Sequence, residues 1–256
     1  MGWDMRFRLK LFSVHLLSSA TILLLILGSL YFGWYRWPGW YLTDVTRVVL
    51  VMACVDVVLG PILTLIIANQ KKSRRVLARD IGIIVAAQLC ALTYGSVSLW
   101  NGRPLYYAYS EGVLQLVQAY DIDDNEAALG QQQNPSLAPH WYSLPRWIWA
   151  PLPQDAEASQ QIVAAAVLSG GDDVISMPKY FKSWENGLPS LRSQLKKVDG
   201  VAYFARGEKK ILKEKMKAAG LSDDKLDAMP LTGRGHPLLA VFDPESLELK
   251  AVLRCK

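Results

Sequence analysis

Three long apolar runs, about residues 11–35, 48–68 and 81–100, dominate the first part of the chain, and each holds at most one carboxylate. About 20 apolar residues at ~1.5 Å rise cover the ~30 Å hydrocarbon core of a bilayer. Backbone groups in that core must bond to one another, so each run predicts a membrane-spanning helix. The remaining sequence, residues 103–256, reads as an ordinary water-soluble domain on one side of the membrane.

Basic flanks set the expected orientation. Arg6, Arg8 and Lys10 precede the first run, and Lys71, Lys72, Arg74, Arg75 and Arg79 crowd the connection between the second and third. The connection between the first two runs carries only Arg36 and Arg47, with Asp44. The excess of Lys and Arg on cytoplasmic loops then puts the amino terminus and the basic loop inside. Three spans leave residues 103–256 outside, which in a bacterium is the periplasm.

The net charge of +5 divides along the same line. Residues 1–102 hold 10 Lys/Arg against 4 Asp/Glu, or +6, and residues 103–256 hold 18 against 19, or −1. The surplus thus belongs beside anionic lipid rather than on a nucleic-acid-binding face. The first run is too long for a signal-peptide core and ends in Tyr31-Phe32-Gly33-Trp34-Tyr35-Arg36-Trp37, an aromatic cluster suited to the headgroup level. We expect a retained helix.

Metal and redox chemistry find little support. Cys54 and Cys90 lie in apolar runs and Cys255 is penultimate, which is no disulfide framework. His15, His140 and His236 are far apart, without metal-ligand spacing. No cofactor is implied.

Asp56 is the costly residue of the apolar part. It falls eight residues into the second run, ~12 Å deep. A carboxylate there costs about 2.5–3.5 kcal/mol or more and calls for a partner. Counting along the third run puts the hydroxyls of Thr93 and Tyr94 near its level, while His15 counts as too far away. Asp56 reads first as a clasp organising the bundle, and second as an acid awaiting a partner helix. Gly60-Pro61 follows, where proline's missing N–H predicts a kink whose freed carbonyls Thr64 can help satisfy.

These residues carry a resemblance. Asp56-Val57-Val58-Leu59-Gly60-Pro61-Ile62-Leu63-Thr64-Leu65, the basic loop, Gln88-Leu89, Tyr94-Gly95 and Gly102-Arg103-Pro104-Leu105-Tyr106 resemble the type IV pilin accessory proteins of the TfpX/TfpZ family. The resemblance is specific over roughly residues 1–115 and looser beyond. It implies a non-enzymatic inner-membrane factor for pilus biogenesis and twitching motility, engaging the major pilin, with pilus platform components as further candidate partners. Asp56, Gly60, Pro61, Thr64 and Tyr94 are then the candidate residues for bundle organisation or pilin contact. The alternatives are a membrane-anchored periplasmic sensor and a pilin-modifying accessory.

The outer domain reads as α+β with an antiparallel sheet. Residues 105–109 and 113–120 alternate like a hairpin, 147–152 like a strand, and 237–242 with 247–253 like a last hairpin. Helices are expected at 155–168, 190–197 and 209–219, and a polar surface loop at 121–145. Asp121-Ile122-Asp123 reads as an acidic turn, not a metal–nucleotide site. Thr232-Gly233-Arg234-Gly235-His236-Pro237 reads as a turn, because the Lys-Ser/Thr of a phosphate loop is missing. A solvated face explains the lysines of 209–217.

Overall fold

A computed structural model describes residues 2–169, 173–197, 214–218, 220–221, 226–235 and 237–254, with side chains from residue 5 onward except at 169. Lys209, Lys210, Lys213, Gly170-Gly171, Ser222-Asp223-Asp224, His236 and Cys255 lie outside those residues. The chain forms two compact units, Met1–Arg36 with Val45–Gly102 and Trp37–Asp44 with Arg103–Lys256. It passes between them after Arg36, after Asp44 and after Gly102.

The first unit contains α1 (Gly2–Leu30), which widens into a π-helical turn at Tyr31–Tyr35. It continues with α2 (Thr46–Ile67) and α3 (Arg74–Asn101), whose first turn is capped by the Ser73 hydroxyl. All three helices are long and apolar enough to cross a membrane. Only 6%, 28% and 11% of their most apolar windows is buried within the chain, so α2 is the central helix and most apolar surface faces outward. That arrangement suits lipid, where packing and polar contacts rather than water exclusion join helices. Small residues set the crossings. Gly95 of α3 faces Met52 of α2, whose Cγ would stand 2.5 Å from an added Cβ. Further along, the Tyr35 hydroxyl donates to the Leu99 carbonyl at 2.7 Å, and Trp34 meets Trp100 edge to face at 5.0 Å.

The second unit is built on an eight-stranded sheet: β1 Pro104–Ser110, β2 Val113–Gln118, β3 Arg146–Trp149, β4 Lys182–Ser183, β5 Lys196–Lys197, β6 Asp227–Thr232, β7 Leu238–Phe242 and β8 Leu249–Arg254. The order is β4-β3-β1-β2-β6-β7-β8, with β5 on β6. The two expected hairpins, β1–β2 and β7–β8, are antiparallel. The sheet as a whole corrects the antiparallel expectation. Strands β1 and β3 pair in parallel, as do β2 and β6, so it is mixed. Both parallel pairs join segments far apart in sequence, and such pairing leaves no local pattern to read.

The expected loop at 121–145 also holds a helix, α4 (Asp124–Gln133), started by the Asp123 carboxylate accepting from Asn125 N–H at 2.7 Å. Helix α5 (Ala156–Ala164) is capped by Asp155, and α6 (Trp184–Gln194) begins six residues before the expected 190 and yields to β5.

Alternation along the strands builds a core on each face. Tyr107, Tyr109, Leu114, Leu231, Leu238 and Phe242 enter one cluster. Tyr106, Ala108, Val117 and Ile148 enter a second on the opposite face. Leu239 and Val241 of β7 join Met216, which is helical within the described residues 214–218, in a third. With cores on both faces, β1 and β7 are buried along their whole length, and only Ser110 at the end of β1 departs from apolar or aromatic residues.

The connection between α1 and α2 is part of this domain. Leu42 is fully buried in the first cluster, and its carbonyl accepts from Gly235 N–H at 2.6 Å. Added Cβ atoms at Gly233 or Gly235 would collide with the carbonyls of Leu42 or Tyr41, so both glycines of the 232–237 turn serve this close approach. Trp37 Nε1 donates to the Val252 carbonyl at 3.2 Å, and the Arg254 guanidinium lies 4.2 Å from the Tyr41 ring centroid. Burial holds the Tyr107 phenol well above its ordinary range, and a hydrogen bond with the Gly39 backbone offsets part of that shift.

Leu42→Ala should therefore cost about 2–5 kcal/mol in domain stability, followed by tryptophan fluorescence during denaturation. Leu144→Ala, at a position 59% exposed, should stay within about 0.5 kcal/mol of the parent. Equal effects from the two would contradict the assignment of Leu42 to the core.

Candidate functional site

Polar side chains on apolar helices gain most by meeting one another, and here they meet at one level of the three-helix unit. His15 of α1 stands between α2 and α3. Its Nδ1 lies 2.6 Å from Thr64 Oγ1, and its Nε2 lies 2.7 Å from Gln88 Oε1. Gln88 Nε2 donates to the backbone carbonyl of Asp56 at 2.9 Å. That bond orients the amide, so Gln88 Oε1 accepts and the His15 Nε2 proton is the donor. In the tautomer with its proton on Nε2, Nδ1 accepts the Thr64 hydroxyl proton. One residue from each helix is thus tied into a single chain of hydrogen bonds.

Gly60 and Pro61 make room for it. A Cβ at Gly60 would overlap the Gln88 carboxamide, so glycine is the residue that lets α3 present Gln88 here. Pro61 has no N–H to offer one turn back, and the preceding segment opens into a π-helical turn over Cys54–Leu59, closed by Gly60 N–H donating to the Val55 carbonyl. The wide turn also keeps a stripe in line. Met52, Asp56, Gly60, Thr64 and Ala68 are all buried at a spacing of four. At 3.6 residues per turn each such step overshoots by about 40°, and a wider turn takes part of that back.

The Asp56 carboxylate stays outside the clasp. The residue is 4% exposed, yet Oδ2 is buried without a hydrogen-bond partner among the described residues. It lines a half-open cleft of about 100 Å³ between Ser18, Ser19 and Ile22 of α1 and Val85, Leu89 and Leu92 of α3.

The other sequence candidates fall elsewhere. Tyr94 is 78% exposed and Thr93 is also exposed, so neither supplies the hydrogen bond expected for Asp56. Counting residues gave their level but not their face, because five or six residues beyond Gln88 the helix has turned away. The buried line on α3 is Gln88, Gly95 and Leu99. His15, set aside on depth, meets α2 directly at Thr64 and reaches the Asp56 backbone carbonyl through the long Gln88 side chain. Lys71 and Lys72 lie in the turn before α3, and Arg74, Arg75 and Arg79 in its opening turns. Lys72 and Arg79 pair with Asp80 at 2.9 and 3.5 Å. Cations near a helix N-terminus oppose its dipole, so local helix energetics do not account for Arg74 and Arg75.

The remaining motifs serve local structure. Asp121 accepts from Gln118 N–H at 2.8 Å and pairs with Arg234 at 3.2 Å. Among the described residues, no three His, Cys, Asp or Glu side chains gather as a metal site would require.

The chain is 25% identical to the fimbrial assembly protein, serogroup I, of Dichelobacter nodosus over 193 residues, 74% of this chain and 72% of that protein. The serogroup E1 protein of the same organism matches with the same identity and coverage. The protein of serogroups C1 and C2 is 28% identical over 116 residues, 45% of this chain and 88% of the relative. The chain is thus similar to fimbrial assembly proteins. No family model matches, and no solved structure matches.

His15→Leu and Gln88→Leu remove the two ends of the 2.7 Å bond. A double-mutant cycle on unfolding in mixed micelles should give a coupling of about 0.6 kcal/mol and at most about 1.7. Strictly additive losses would mean that the clasp carries no energy.

Proposed function

We propose that this protein is a non-enzymatic accessory factor of type IV pilus biogenesis, of the TfpX/TfpZ type. It resides in the bacterial inner membrane with its sheet domain in the periplasm, engages the major pilin and promotes its assembly into pili and hence twitching motility. The observation that carries this reading is the similarity to fimbrial assembly proteins over 74% of the chain, joined to three helices of membrane-spanning length. The lipid bilayer is the other partner, and the basic loop at Lys71, Lys72, Arg74, Arg75 and Arg79 fits a cytoplasmic face. Contact with the pilus platform follows if pilin is delivered there. Nucleic acid has no place in the scheme.

Physical reasoning supports the division of labour. A pilin held in a bilayer by one hydrophobic helix, with a folded head outside, needs a partner with both a helix bundle and an outer domain.

Cross-linking of the tagged protein in native membranes, followed by mass spectrometry, should recover the major pilin as the dominant partner. Recovery of platform components without pilin would move the function to the assembly machine. Alkaline phosphatase fused after residue 254 should be active, and fused after Gln70 inactive. The reverse pattern would overturn the orientation.

A further inference from the structure

We propose that the cleft between α1 and α3 receives a cationic group, an ammonium or guanidinium, carried by the hydrophobic helix of a partner, with the Asp56 carboxylate as counter-charge. Asp56 lines the cleft and is 4% exposed, and its buried Oδ2 has no hydrogen-bond partner among the described residues. Burying a charge without compensation is costly, and in hydrocarbon such groups normally pair. The titratable neighbour on α1, His15, already uses both ring nitrogens on Thr64 and Gln88. From α3 the cleft is lined by Val85, Gln88, Leu89 and Leu92, none of them charged. The clasp therefore closes without the carboxylate, whose Oδ2 is left without a partner among the described residues.

Shape and donor count fit the same ligand. About 100 Å³ has room for a small polar head, since one water takes about 30 Å³. Ser18 Oγ donates to the His15 carbonyl at 2.9 Å, which leaves its lone pairs to accept. An ammonium brings three donors and a guanidinium five, and both can use a carboxylate beside a hydroxyl oxygen. The small side chains of Ser18 and Ser19 let a second helix approach closely, and Ile22, 46% exposed, and Leu89, 52% exposed, offer it apolar contact. A divalent cation fits poorly, because it would need six or more oxygens where one carboxylate stands.

The identity of the partner as pilin rests on the function proposed above, whereas the site rests on the cleft. The test places a photo-cross-linking amino acid at Ile22 or Leu89 of the full-length protein in membranes containing the pilin. Both positions should cross-link the pilin's hydrophobic helix, and Asp56→Asn should lower the yield about tenfold. Asn keeps a hydrogen-bonding oxygen but loses the charge, so an unchanged yield would overturn the cationic ligand. Ser19→Leu, which fills the cleft and keeps the carboxylate, should lower the yield equally. It decides the matter if Asp56→Asn fails to fold. Cross-links to lipid alone would overturn the site. Pilin captured by the tag but from neither cleft position would sink the site and leave the function standing. Pilin captured by neither route would sink both.

Discussion

The hydrogen-bond chain through His15 is the constraint on which the helical unit depends. Hydrocarbon offers no competing partner for an imidazole, a carboxamide or a hydroxyl, so these groups fix which faces of the three helices meet. Thr64 and the Asp56 carbonyl on α2 and Gln88 on α3 all lie within reach of that one ring, directly or through Gln88. Gly60 removes the atom that would block the approach, and Pro61 forces the wide turn that keeps Asp56 on the inner stripe. The Asp-Val-Val-Leu-Gly-Pro string is thus a packing device, with its acidic residue left over.

A different economy governs the sheet unit. Eight residues between the first two helices, Trp37–Asp44, are folded into it, with Leu42 at zero exposure and its carbonyl bonded to Gly235. The chain crosses between units three times, and two of those crossings bracket this segment. The sheet therefore cannot complete its first core cluster until the segment following α1 has reached it. Glycines at 233 and 235 exist for backbone-to-backbone contact rather than for phosphate binding.

Much of this was legible. Apolar run length gave three helices, and alternation gave the β1–β2 and β7–β8 hairpins, because both signals are local. The parallel pairs β1–β3 and β2–β6 were not legible, since each joins distant segments that look alike whichever way they run. At the site, Asp56, Gly60, Pro61 and Thr64 were visible from their types, but Gln88 was read only as part of a motif. A buried glutamine in an apolar helix is itself a polar-contact signal, and with His15 it would have identified the clasp. Tyr94 misled because depth along a helix says nothing about its facing.

Proteins similar to this chain are named for fimbrial assembly, and its architecture joins a bundle closed by polar contacts, an acid beside a cleft and a separate sheet domain. The most direct measurement is the number of surface pili per cell after deletion of the gene, with total pilin followed in parallel. The account predicts that pili fall sharply while pilin persists in the membrane, and that the intact gene restores them. Undiminished pili in the deletion strain would contradict it.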